Sequence, residues 1–95
     1  MLSIITPEKL AKTIASKAKS IRLSENMSRK SLSEKSGVPE STVRHFEVTG
    51  QVSLSNLLKI SWALDELKPF SELFNEKPIV KIDDLLIPKR KRGRS

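Results

Sequence analysis

The chain has 95 residues, enough for one domain, with 18 Lys and Arg against 11 Asp and Glu. It has no cysteine and one histidine, His45, which excludes disulfides and cysteine nucleophiles and predicts neither a metal site nor a cofactor. The net charge of +7 favours a polyanionic partner such as nucleic acid or an anionic membrane surface. With no secretion signal at Met1–Ile5 and no apolar run of membrane-spanning length, we expect a cytoplasmic protein.

The first predicted element is a helix from Pro7 to about Arg22. Thr6 can cap its free amide groups, and Pro7 suits the first helical position because that position needs no amide donor. Apolar residues then repeat with helical spacing at Leu10, Ile14, Ala18 and Ile21.

Two short helices follow, predicted over residues 29–36 and 40–46. Ser28 caps the first, Gly37 suits a left-handed residue at its end, and Pro39 blocks backward extension of the second. The small or apolar residues expected to pack the two helices together are Leu32, Ser33, Val38, Val43 and Phe46. This packing leaves the opposite face of the second helix free.

Ser53 caps a fourth predicted helix that ends near Asp65, and Pro69 opens a short fifth. Leu58 and Trp62 lie outside the expected core face of the fourth helix, which consists of Leu54, Leu57, Ile60 and Leu64. So wide an apolar arc predicts a second contact surface, used either for homodimerisation or for a partner protein.

We divide the chain into a domain over residues 1–75 and a C-terminal extension over residues 76–95. Within the extension, residues 79–82 suit a short strand and residues 83–86 suit the start of a helix, and the sequence leaves both open. Residues 88–95 are a basic tail that buries nothing, so we expect disorder in isolation, with either phosphate contacts or simple solvation as its role.

The segment Ser28–Glu47 resembles the helix-turn-helix of the Cro and phage-repressor (XRE) family in its turn glycine, apolar spacing and Phe-Glu pair. The resemblance extends over about Leu10–Phe74. It implies an all-α, five-helix, lambda-repressor-like DNA-binding domain that usually dimerises on double-stranded operator DNA. Ser33 replaces the usual alanine, and Glu47–Gly50 is one residue longer than the common Glu-x-Gly, which leaves the geometry of that loop open.

The resemblance also implies roles for single residues. Arg29 would contact a phosphate, and Glu40 and Ser41 would open the helix that reads the bases. Arg44 would bind either a guanine edge or a phosphate. Glu40 would either accept from a cytosine amino group or only favour the positive end of the helix.

Three further positions have competing interpretations. Thr42 either touches phosphate or caps the backbone locally, and His45 either contacts DNA or is an ordinary surface residue. Glu47 is expected to be structural, in a buried or half-buried ion pair for which Arg22 is a candidate partner.

A narrower resemblance, to HipB-like antitoxins, involves Leu67–Phe74, the Pro-containing linker and the tail at Lys89–Arg94. Such antitoxins are encoded beside HipA-type serine/threonine kinase toxins, so this resemblance implies a kinase partner and autorepression of a toxin–antitoxin operon. The alternative is a stand-alone phage-type or chromosomal repressor. We expect no enzymatic activity, since the sequence offers no nucleophile–base pair and no phosphate-cradling glycine loop.

Overall fold

The computed structural model describes residues 4–75, which contain five helices and no strand. The helices are α1 (Pro7–Ser24), α2 (Arg29–Ser36), α3 (Glu40–Thr49), α4 (Leu54–Ala63) and α5 (Lys68–Ser71). The predicted all-α, five-helix class is therefore confirmed over this range. The C-terminal extension lies outside the described residues, so the strand-or-helix alternative, the basic tail and the proposed domain boundary stay predictions.

Three of the helices begin at the side-chain caps that the sequence predicts. The hydroxyl of Thr6 accepts a hydrogen bond from the Lys9 amide at 3.2 Å. Ser28 accepts one from the Ser31 amide at 3.0 Å, and Ser53 one from the amide of Asn56 at 3.1 Å. Each cap satisfies a backbone donor that the first helical turn leaves free.

The helix ends differ from the prediction at three places. α3 continues past Phe46 to Thr49, because the residue that turns the chain is the left-handed Gly50, with φ of 83°. α1 is likewise longer, to Ser24, whereas α4 stops at Ala63, just before the left-handed Asp65 with φ of 61°. Each of these three helices thus ends one or two residues before a residue in the left-handed region, which is Asn26 after α1.

The core consists of residues from the first four helices and their connections: Ala15, Leu32, Val38, Val43, Phe46, Ile60, Ala63 and Leu64. Leu54, expected on the core face of α4, is instead 65% exposed. At about 100° per residue, Leu54 lies about 20° from the buried Ser61 and about 80° from Trp62, so its angle alone does not account for its exposure. Leu54 is the first residue of α4. The prediction that Leu54 belongs to the core face of α4 is therefore wrong.

The end of α3 lies directly against the backbone of α1. A Cβ atom added to Gly50 would sit 3.0 Å from the carbonyl carbon of Ala11 and 3.1 Å from the amide nitrogen of Lys12. Gly37, which also has a positive φ, has no atom within 4 Å of such a Cβ. Gly50 is therefore required both by its backbone conformation and by close contact between two helices.

These two glycines form a matched pair for a stability test. We expect Gly37→Ala to lower the free energy of unfolding by about 1 kcal/mol, the cost of a left-handed alanine. Gly50→Ala should cost about 2 kcal/mol or more, because α1 must also move away. Urea denaturation of both variants measures the difference, and equal losses would show that the contact between the helices adds nothing.

Candidate nucleic-acid interface

The turn between α2 and α3 is held by a short set of buried contacts. Gly37, with φ of 81°, ends α2, and the hydroxyl of Ser36 accepts a hydrogen bond from the buried Val38 amide at 3.1 Å. Val43 and Phe46, on the underside of α3, are fully buried in the core. The position of α3 is therefore set by apolar packing below it and by a hydrogen-bonded turn before it.

The opposite face of α3 is exposed. It presents four polar side chains that the sequence predicted there: Glu40, Ser41, Arg44 and His45. Thr42 is half-buried, at about 40° from the buried Phe46 around the helix. The structure thus brings four of the five predicted α3 residues together and places Thr42 on the flank.

Val48 also lies on this face and was missed from the sequence. It follows Arg44 by one helical turn and is 62% exposed. The prediction ended α3 at Phe46 and so left Val48 in a loop. The sequence did indicate a longer helix, because no proline or glycine lies between Phe46 and Gly50 to end α3 earlier.

Behind the exposed face, the carboxylate of Glu47 joins two arginines. Its Oε2 accepts from Nε of Arg22 at 2.7 Å, and its Oε1 accepts from Nη2 of Arg22 at 3.0 Å and from Nε of Arg29 at 2.8 Å. Only 1% of the Glu47 side chain and 7% of the Arg22 side chain is exposed. The predicted structural role of Glu47 and its pairing with Arg22 are confirmed.

The second partner, Arg29, was expected from the sequence only as a phosphate contact. Its side chain remains 28% exposed. Only its Nε is hydrogen-bonded to another residue between 4 and 75, which leaves the two terminal nitrogens without a partner in that range. The ion pair with Glu47 therefore orients Arg29 and is compatible with a phosphate contact through the other end of the guanidinium group.

The surroundings of Glu47 act on its pKa in opposite directions. Burial alone would raise the pKa of Glu47, but hydrogen bonds from Arg22 and Arg29, together with their charges, outweigh it and hold the pKa below its ordinary value. A lowered pKa means that the ionised form stabilises the fold above the unfolded-state pKa. That contribution is lost as pH falls through the lower folded-state value.

A Glu47→Gln variant tests this arrangement. At neutral pH we expect a loss of about 3 kcal/mol in the free energy of unfolding, because two arginines lose their counter-charge and one of them is buried. The difference from the unmodified protein should begin to narrow as pH falls below the ordinary glutamate pKa, where the unfolded chain takes up a proton, and should close at still lower pH, where folded Glu47 becomes neutral as well. Denaturant titrations from pH 7 to pH 3 measure it. The exposed Glu34→Gln is the control, and a gap that stays constant with pH would contradict the assignment.

The second predicted contact surface lies on α4. We call Leu54, Leu58 and Trp62 the α4 stripe, since they follow one another at intervals of four residues. Leu54 and Trp62 are 65% and 56% exposed, and Leu58 is half-buried. The described part of the chain therefore carries an uncovered apolar stripe on a helix that also contributes to the core.

Neither a metal cluster nor a membrane span is found within the described range. Residues 4–75 contain no group of acidic residues and histidine arranged to hold a metal ion. No helix in that part of the chain is long and apolar enough to cross a membrane.

The comparison with protein families identifies the same segment. The family model HTH_3, described as Helix-turn-helix, matches residues 19–69, which is more than half of the chain and extends from α1 into α5. No curated protein matches the chain. Domains of this family are regulatory DNA-binding modules rather than catalytic ones. The chain thus belongs to the XRE-type helix-turn-helix family HTH_3 and is a DNA-binding transcription regulator.

Proposed function

We propose that the protein is a sequence-specific repressor that places α3 in the major groove of operator DNA. The observation that supports this most directly is the division of α3 into two faces. Val43 and Phe46 are buried, while Ser41 and Arg44 point to solvent from a helix of 10 residues, about 15 Å long. A short helix that is anchored below and polar above suits a groove about 12 Å wide.

The exposed residues differ in the contacts they offer. Arg44 can donate two hydrogen bonds to the O6 and N7 atoms of guanine, and Glu40 can accept from the amino group of cytosine. Ser41 and His45 both donate and accept, which suits several base edges. Thr42, on the flank, is assigned to the sugar–phosphate backbone.

Arg29 is assigned to a phosphate contact next to the groove. Its ion pair with Glu47 fixes the side chain before DNA arrives, so little rotamer freedom remains to be lost on binding. Phosphate contacts of this kind position the protein on the duplex, whereas the α3 side chains distinguish sequences.

The contribution of Arg44 can be measured with a duplex selected by the protein from a random-sequence pool. Arg44→Ala should weaken binding to that duplex by about 1–3 kcal/mol and relax the preference at one base pair. Lys17→Ala is the charge-matched control, because Lys17 lines a groove between α1, α4 and α5 and not the α3 face. An equal loss of affinity for all duplexes would assign Arg44 to phosphate instead.

We also propose that two copies associate through the α4 stripe. An exposed tryptophan and leucine beside half-buried Leu58 form the kind of apolar patch that subunit interfaces cover. Two domains related by a two-fold axis would present two α3 helices to successive major grooves, about 34 Å apart. Dimerisation would also add stability that a core of this size supplies only in part.

Light scattering tests this interface. Trp62→Ala and Leu54→Glu should convert a dimer into monomers, because the first removes the largest apolar contact and the second buries a charge. Leu23→Glu is the matched control, since Leu23 is 54% exposed but lies near the end of α1. A dimer that survives both stripe variants would assign the stripe to another partner.

We further propose that the regulator is the antitoxin of a HipA-type serine/threonine kinase. The resemblance over Leu67–Phe74 motivates this assignment, and the apolar side chains there support it. Leu73 is 54% exposed and Phe74 is fully exposed. Phe70, in the same segment, lines an apolar groove of about 200 Å³ together with Leu57. These features offer a partner protein a surface separate from α3.

The antitoxin assignment is tested with the product of the neighbouring gene. If that product is a HipA-type kinase, we expect it to copurify with this chain and to lose kinase activity in the complex. Phe74→Ser should weaken copurification while leaving DNA binding intact. A kinase that remains fully active beside this protein, or a neighbouring gene of another kind, would favour a stand-alone repressor.

A further inference from the structure

The exposed valine on α3 points to a contact with an apolar group of the DNA. We propose that Val48 is a specificity-determining residue whose methyl groups pack against the C5-methyl group of a thymine in the major groove. This inference rests on the proposed function, because it requires α3 to enter the groove.

The first argument is the position of Val48 on the helix. At about 100° per residue, Val48 lies about 40° from Arg44, 20° from Ser41 and 60° from His45. It therefore lies in the middle of the exposed arc around the helix axis and one turn beyond Arg44, towards the C-terminal end of α3. When Arg44 and His45 contact the DNA, a side chain one turn further along the same face is brought close to the duplex.

The second argument is chemical. A valine side chain neither donates nor accepts a hydrogen bond, so it gains nothing from a phosphate or from a polar base edge. The apolar group that base pairs present in the major groove is the methyl group of thymine. Burying Val48 against that methyl group removes apolar surface of both partners from water.

The third argument is that the position of this side chain is fixed before binding. Glu47, the preceding residue, is held by Arg22 and Arg29, and Gly50, two residues later, lies against the backbone of Ala11. Valine in a helix also has one strongly preferred χ1 rotamer. The methyl groups are therefore presented in one direction, as discrimination between bases requires.

Replacement of thymine by deoxyuridine tests the contact, because it removes the methyl group and leaves base pairing intact. Wild-type protein first selects a preferred duplex from a random-sequence pool, and each thymine of that duplex is then replaced in turn. We expect one replacement to weaken wild-type binding about fourfold, the equivalent of one buried methyl group. The Val48→Ala variant should bind the unmodified duplex more weakly than the wild type does. Replacement of that same thymine by deoxyuridine should not weaken its binding further.

Two controls separate this contact from a general loss of affinity. Val48→Thr keeps one methyl group and should retain part of the response to that deoxyuridine. Ser41→Ala should weaken binding but keep the full response, because it leaves the valine in place. Val48→Ala should unfold at the same denaturant concentration as the wild type, since Val48 is exposed and outside the core.

Several outcomes would overturn the inference. A preferred duplex that tolerates deoxyuridine at every position would show that Val48 is an ordinary exposed residue. A Val48→Ala variant that responds to deoxyuridine as the wild type does would assign the methyl contact to another side chain. If the wild-type protein recovers no preferred duplex from the pool, the proposed function fails first, and this inference fails with it.

Discussion

The arrangement of the first three helices depends on the ion pairs that the Glu47 carboxylate forms with two arginines. Glu47 belongs to α3 and accepts two hydrogen bonds from Arg22 of α1 and a third from Arg29 of α2. Because both its oxygens are used and its side chain is almost wholly buried, removal of Glu47 leaves two arginines without their counter-charge. Apolar packing of Phe46 brings the helices together, and the charged trio restricts how they can be rotated against one another.

Much of the fold followed from local chemistry in the sequence. Single residues mark several helix boundaries: the caps Thr6, Ser28 and Ser53 begin helices, and the left-handed Gly37 ends one. Because both ends of α2 are marked in this way, its bounds were predicted to the residue. The buried underside of α3 followed equally from the spacing of its apolar residues. Capping and the helical spacing of apolar residues depend on neighbours within one or two turns, so both can be predicted without knowledge of the tertiary structure.

What the sequence did not reveal arises only from tertiary contacts or from the full length of a helix. Arg29 was assigned to DNA alone because nothing local indicates that a carboxylate 18 residues away lies beside it. Val48 was overlooked because the end of α3 was placed too early. Leu54 was assigned to the core from its spacing to Leu57, although as the first residue of α4 it is exposed. For the candidate site, the residue types on the exposed face were therefore predictable, but its extent and its supporting contacts were not.

The separation of the two faces of α3 also bears on how such a protein diversifies. The exposed Ser41 and Arg44 contribute nothing to the core, whereas Val43 and Phe46 contribute nothing to the outer surface. Substitutions at the outer positions should therefore be nearly neutral for folding. After a gene duplication, one copy can change its outer face by a few substitutions and keep the scaffold that presents it.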